Sequence, residues 1–165
     1  MEAAPHFQVG DKAVYPAHGV GEVTSIETRE VGGERQLFYV LRILENGMKV
    51  MVPTTASGTS GLREIMNKTQ VDEVFGVLRK KEISVETTTW NRRYREYMEK
   101  IKSGEPCQIA QVLRDLCLLK HDKDLSFGER KMLDTAKALL VKELSIARGM
   151  TEVEVEVEFA RIFEN

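Results

Sequence analysis

Residues Leu37–Val52, LFYVLRILENGMKVMV, contain two apolar runs separated by Asn46 and Gly47. An Asn-Gly pair between apolar runs favours a β-hairpin, because both residues tolerate the positive φ angles of a tight turn. Two further apolar runs come before this segment and are bounded by glycine-containing turns: Ala13–Tyr15 and Val23–Thr28.

Residues 7–53 therefore predict four or five short antiparallel strands. So many short strands in so short a stretch suggest a small, strongly bent barrel, with glycines relieving the corners at Gly10, Gly19 and Gly21. Pro53 ends the last strand, and the Thr, Ser and Gly residues of 54–61 form a loop.

A helix is predicted over residues 70–80, because four apolar residues repeat there at spacings of three and four: Val71, Val74, Phe75 and Leu78. We expect this helix to pack on the barrel. The pattern lapses over residues 82–89, which we interpret as a linker between a first domain, residues 1–81, and a second, residues 90–165.

The second domain is predicted to be helical. One helix starts at Trp90 and ends before Gly104, a second includes Ile109–Cys117, and a third follows Ser126, which forms a capping box with Glu129. Residues 151–163 alternate like a strand but also fit a helix. We favour a helix, because a lone strand would leave an unpaired edge. The predicted fold class is α+β: a small N-terminal antiparallel β barrel followed by an all-helical C-terminal domain.

Composition favours a globular, non-catalytic protein. The 165 residues have a net charge of -2, 42% hydrophobic residues and no apolar run long enough for a membrane helix. We expect a cytoplasmic protein, and nothing demands a dimer, so a monomer is expected. Motifs for nucleotide, metal or acyl chemistry are absent from the sequence, so we expect no cofactor and no enzyme. A metal site at Cys107, Cys117 and His121 remains an alternative to two buried thiols and a surface histidine.

Charge points to a local nucleic-acid contact in the middle of the chain, where residues 71–131 hold 13 Lys and Arg against 11 Asp and Glu. Trp90, the single tryptophan, begins a helix there. One interpretation places Trp90 in the core with Tyr94 and Ile101. The other places it partly in solvent, because side chains in a first turn project past the helix end.

The second interpretation gains support from three nearby cations, Arg92, Arg93 and Arg95. An apolar wedge between cations is the arrangement that minor-groove and junction binders use, with the cations on phosphates and the ring in a base step. A duplex that is already opened reduces the unstacking cost, so such a wedge favours the edge of a bubble.

The chain resembles the CarD family of bacterial RNA polymerase-binding transcription factors, and within it the CdnL type. The resemblance covers nearly the whole length and is carried by these segments: Val9–Asp11, Val14–Pro16, His18–Gly21, Ile26–Arg29, Val52–Pro53, Thr89–Tyr94 and Ser126–Leu133.

This resemblance implies a Tudor-like N-terminal domain, similar to the polymerase-interacting domain of transcription-repair coupling factors, which docks on the polymerase β subunit. It implies a polymerase contact at Arg29, Met51 and Pro53. It also implies that the helical domain touches promoter DNA at the upstream edge of the bubble, with Trp90 as the wedge. The nearby residues implied are Arg92, Met98, Phe127 and Arg130, although Phe127 also fits a core position behind its cap.

The sequence thus predicts a transcription initiation regulator that binds polymerase and stabilises the open promoter complex. One alternative is an interaction adaptor on polymerase without direct DNA contact. A metal-dependent enzyme at Cys107, Cys117 and His121 is a second alternative.

Overall fold

The structure is a computed structural model that describes residues 6–56, 61–81, 90–122 and 124–163. The chain divides into two compact units, Met1–Ile65 and Met66–Asn165. The predicted linker, residues 82–89, lies outside the described residues and stays a prediction.

The first unit is a five-stranded antiparallel sheet with the order β4-β3-β2-β1-β5. Its strands are β1 (Lys12–Tyr15), β2 (Gly19–Val31), β3 (Glu34–Ile43), β4 (Lys49–Pro53) and β5 (Arg63–Glu64). Closure would require β4 to pair with β5, and within the described ranges these strands lie at opposite edges. The small antiparallel barrel predicted from the sequence is thus an open five-stranded sheet, and the α+β class is confirmed.

The predicted turns occur as glycine-dependent hairpins. Gly32 and Gly33 have φ angles of 59° and 84° and join β2 to β3, a conformation that L side chains rarely adopt. In the next hairpin, Gly47 has a φ of 72° and the Asn46 side-chain oxygen accepts a hydrogen bond from the Met48 N–H at 2.9 Å.

One face of the sheet forms the core of this unit. Tyr39, Leu41 and Ile43 alternate along β3 and are buried with Val23 and Phe7. The Tyr39 hydroxyl accepts hydrogen bonds from the N–H groups of His6 and Phe7 at 2.9 and 3.2 Å, which holds the segment before β1 against the core. The residues between them on β3 consequently point to the opposite face.

The second unit contains five helices: α1 (Lys68–Arg79), α2 (Trp90–Ser103), α3 (Pro106–Asp122), α4 (Phe127–Arg148) and α5 (Glu152–Phe163). The apolar face of α1 packs with α3 and α4 in a single helical core. The Glu143 carboxylate of α4 accepts a hydrogen bond from the Met66 N–H at 2.9 Å. The apolar face of α1, which was expected to pack on the barrel, thus belongs to the core of the helical unit.

Local capping sets the bounds of the last two helices. Ser126 and Glu129 form the predicted capping box of α4, and Gly149 ends that helix in the left-handed conformation. The Thr151 hydroxyl accepts a hydrogen bond from the Glu154 N–H at 3.1 Å, so residues 152–163 form a helix as predicted.

Candidate nucleic-acid and partner-protein interfaces

Arg29, Met51 and Pro53 lie on the outer face of the sheet, opposite its core. Directly opposed residues in antiparallel strands share a face, and Met51 opposes Val40 while Pro53 opposes Phe38. Arg29 opposes Gln36, which alternation places on the same side of β3 as Phe38 and Val40. The sheet thus brings these three predicted residues to one surface, which spans β4, β3 and β2.

This outer face combines apolar and charged side chains. Met51 is 41% exposed, and exposed Arg29 donates a hydrogen bond to the Glu27 carboxylate at 3.1 Å. Phe38 is half-buried between Glu27 and Pro53 in the strand register. Sequence reasoning did not single out Phe38, although a core Tyr39 requires its neighbour on the strand to face outward.

The same face borders an unpaired strand edge. β4 is the last strand on its side of the sheet, so its outer backbone groups have no strand partner in the described part of the chain. Such an edge can take up a strand from another protein through main-chain hydrogen bonds.

The first turns of α2 hold most of the predicted DNA contacts. Trp90 and Arg92 lie in the first turn, and their side chains are outside the described part of the chain. Tyr94 is 43% exposed and Arg95 is exposed, whereas Arg93 is half-buried. Because Tyr94 is exposed, the interpretation that placed it in the core is wrong.

The inner side of α2 faces the helical core. Tyr97 and Ile101 are buried, and half-buried Met98 packs against the same core. Met98 therefore offers only part of its side chain to a ligand.

Phe127 projects from the first residue of α4 and is 83% exposed. The alternative that it belongs to the core is therefore wrong. Glu129, two residues later, is almost fully buried, and its carboxylate accepts a hydrogen bond from the Ser126 N–H at 2.9 Å. The capping box thus turns Glu129 inward and leaves the Phe127 ring in solvent, with exposed Arg130 and Lys131 beside it.

A buried polar network connects α2 and α3. The Tyr97 hydroxyl donates to the Asp115 carboxylate at 3.3 Å, and Arg114 donates to the same carboxylate at 2.9 and 3.1 Å. Burial raises the pKa of Tyr97, and the negative charges of Asp115 and Glu129 raise it further. The positive charge of Arg93 lowers it. Arg93 and Glu129 thus both act on the ionisation of Tyr97 from the first turns of α2 and α4.

The two thiols have the properties of packing residues. Cys107 and Cys117 are free and half-buried against the helical core. Burial raises the pKa of the Cys117 thiol to about 11, so the thiolate that binds metals is disfavoured. The His121 imidazole contacts the Phe163 carbonyl oxygen through Nε2 at 2.7 Å.

Neither a metal cluster nor a membrane-spanning helix occurs in the described ranges. No group of three or more His, Cys, Asp or Glu side chains there could hold a metal ion. No helix in those ranges is both long and apolar enough to cross a membrane.

Comparisons with known proteins match both units. Residues 73–160 match the family model "CarD, C-terminal domain", and residues 7–66 match "CarD-like/TRCF RID domain". The chain is 37% identical over 150 residues to "Putative transcription factor YdeB" of Bacillus subtilis (strain 168), covering 91% of this chain and 97% of that protein.

A solved structure, "CdnLNt from Myxoccoccus xanthus", is 59% identical over 41% of this chain and 93% of its own, with a TM-score of 0.32. The two family models together extend from the sheet to the last helix. The chain therefore belongs to the CarD family of transcription factors.

Proposed function

We propose that this protein binds the β subunit of bacterial RNA polymerase through its N-terminal sheet. We further propose that its helical unit stabilises the open promoter complex by contacting DNA at the upstream edge of the bubble. The exposure of Phe127 is the observation that carries the DNA contact most directly.

Covering a ring of this size with a partner removes apolar surface from water and so favours binding. Arg130 and Lys131 flank Phe127, and Arg95 and Tyr94 are exposed on the neighbouring α2. Cations that hold phosphates around an apolar ring fit a bent or opened duplex, in which the ring replaces a lost base contact. The same surface offers little that distinguishes one base sequence from another, so we expect weak sequence preference.

The polymerase contact rests on the outer face of the sheet. Met51, Pro53 and Arg29 share that face, which borders the unpaired edge of β4. An apolar centre with a flanking cation and a free strand edge suits strand addition to a partner sheet. The match to the domain that this chain shares with transcription-repair coupling factors supports polymerase as the partner.

The two contacts depend on each other. A few phosphate contacts and one ring bind free DNA weakly, and the affinity decreases steeply as the salt concentration rises. Attachment to polymerase raises the local concentration of the helical unit at the promoter, so a weak contact becomes sufficient. A ligand that touches only melted DNA shifts the equilibrium from the closed to the open complex.

The test replaces Phe127 by Ala in the full chain and measures the lifetime of the open promoter complex after competitor addition. The expected result is a lifetime shortened about 5- to 30-fold, as for loss of about 1–2 kcal/mol of contact, with binding to polymerase unchanged. Val153→Ala is the matched control, because Val153 is also an apolar residue in the first turn of a helix and is 67% exposed.

A folded Phe127→Ala variant with an unchanged lifetime would contradict the DNA contact of α4. The adaptor alternative makes a separate prediction for Arg92 and Arg93. If neither substitution alters the promoter affinity of the polymerase complex or its salt dependence, the helical unit makes no phosphate contact there.

A further inference from the structure

A cleft of about 1070 Å³ lies in the helical unit, at the end of α4 opposite to Phe127. It is bordered by α1, by the last turn of α4 and by α5. Its floor is apolar, formed by Val71, Phe75, Ala147 and Ile162. A concave surface of this size with an apolar floor is a common form of ligand site.

The border of the cleft is predominantly cationic. Five basic side chains line it, against the carboxylates of Asp72 and Glu158: Lys68, Arg79, Lys81, Arg148 and Arg161. This excess is local, since the whole chain has a net charge of -2 and α5 carries four glutamates. The cleft therefore favours an anionic ligand.

Two of the arginines are held in place by the floor. The guanidinium carbons of Arg79 and Arg148 lie 5.5 and 5.3 Å from the centre of the Phe75 ring. Arg148 also donates a hydrogen bond to Glu158. Fixed guanidinium groups lose little conformational entropy when they bind a carboxylate, so they favour a specific contact.

We propose that this cleft binds a short acidic segment of a partner protein. Its carboxylates meet the cationic border, and one apolar side chain reaches the floor. A duplex presents its phosphates on a convex surface and keeps its apolar thymine methyl groups within the major groove, so the concave floor favours a peptide over DNA.

The cleft is separate from the proposed DNA contact. Phe127 and Arg148 are the first and last residues of α4, which at 1.5 Å per residue places them about 30 Å apart along the helix axis. A single substitution can therefore change one surface and leave the other intact.

The test uses the full chain and a fluorescein-labelled synthetic peptide of Asp and Glu residues with a central Leu-Phe pair. Fluorescence anisotropy measures its affinity, and amide chemical shifts locate its site. Arg161→Glu should weaken binding about tenfold, because it replaces an attraction by a repulsion at the border. Lys68→Glu serves as a second variant. Lys68 is the first residue of α1, and an acidic side chain is favourable at a helix N-terminus, so this substitution should not disturb folding.

Arg130→Glu is the matched control, as an exposed arginine on the same helix but at its other end. It should leave peptide affinity within about twofold and shorten the open-complex lifetime, while Arg161→Glu should leave that lifetime unchanged. The two proposals therefore fail separately.

Three outcomes would overturn the peptide site. The first is the absence of cleft shifts at about 1 mM peptide, a concentration that half-fills even a weak site. The second is equal binding of a peptide in which Ser-Ser replaces Leu-Phe. The third is displacement of the peptide by duplex DNA or inorganic phosphate with shifts of the same cleft amides, which would indicate a general anion surface.

Discussion

Ala17 has a φ angle of 71°, which makes it the one non-glycine residue with positive φ in the described ranges. It lies in the turn between β1 and β2, beside the stacked rings of Tyr15 and His18. The left-handed conformation is unfavourable for a residue with a Cβ, so this turn stores a small amount of strain.

We predict that Ala17→Gly stabilises the sheet by about 0.5–1 kcal/mol, because relief of the strain exceeds the added entropy of the unfolded chain. Urea unfolding followed by a sheet-specific probe checks this value. Gly21→Ala is the opposite case, since its new Cβ would lie 2.5 Å from the Leu41 side chain, and it should destabilise the sheet. A destabilised Ala17→Gly variant would show that contacts of the Ala17 methyl outweigh the strain.

At the level of secondary structure, the capping box of α4 controls how Phe127 is presented. Ser126→Ala removes the oxygen that accepts the Glu129 N–H at 3.2 Å, and we predict a loss of about 1 kcal/mol in stability. The first turn of α4 should fray, so the open-complex lifetime should also fall although Ser126 is not a proposed DNA contact.

Asn67→Ala provides a matched comparison, because Asn67 and Gln70 form the capping box of α1. This variant should lose similar stability in thermal unfolding and retain the lifetime. Equal lifetimes for the two variants would mean that the order of the first turn of α4 does not matter for DNA contact.

The extent to which sequence predicted each element depends on whether its cause is local. Ser126, Thr151 and Asn46 act within a few residues, so the starts of α4 and α5 and the β3–β4 hairpin were predicted correctly. The two-residue β5 has no pattern of its own, and it was missed. Closure of the sheet depends on a pairing between distant strands, which periodicity does not encode.

The partner of α1 was not predictable for a related reason. The spacing of Val71, Val74 and Phe75 shows that one face is buried but does not identify the surface that covers it. At the candidate sites, the exposure of Tyr94 and the half-buried position of Met98 likewise depend on how α2 packs on the helical core. Exposure of Phe127 follows from the inward turn of Glu129, which sequence left undecided.

On the scale of the whole molecule, the groups with raised pKa values in the described ranges belong to the helical unit. Burial raises the pKa of Cys117 from its ordinary value of 9.0 to about 11, and the pKa values of Cys107 and Tyr97 are also raised. A group with a raised pKa keeps its proton longer in the folded state than in the unfolded one. Its contribution to stability is therefore complete below pH 9 and is lost as pH rises towards 11.

We predict that the helical unit loses stability between about pH 9 and 11. Chemical unfolding at a series of pH values, followed by helical circular dichroism, measures the decline. Cys117→Ala should reduce its slope, and the remaining decline should come mainly from Tyr97. A slope that Cys117→Ala leaves unaltered would show that the thiol is ionised equally in both states.

The inward position of Glu129 affects how mutational surveys of this protein should be interpreted. Its carboxylate is buried and holds the start of α4. Substituting Glu129 should impair promoter function as severely as substituting Phe127, although a buried carboxylate cannot touch DNA. A survey scored by activity alone would group Glu129 with the residues that contact DNA. A survey scored for both activity and folding would distinguish Glu129, which supports the helix start, from the contact residue Phe127.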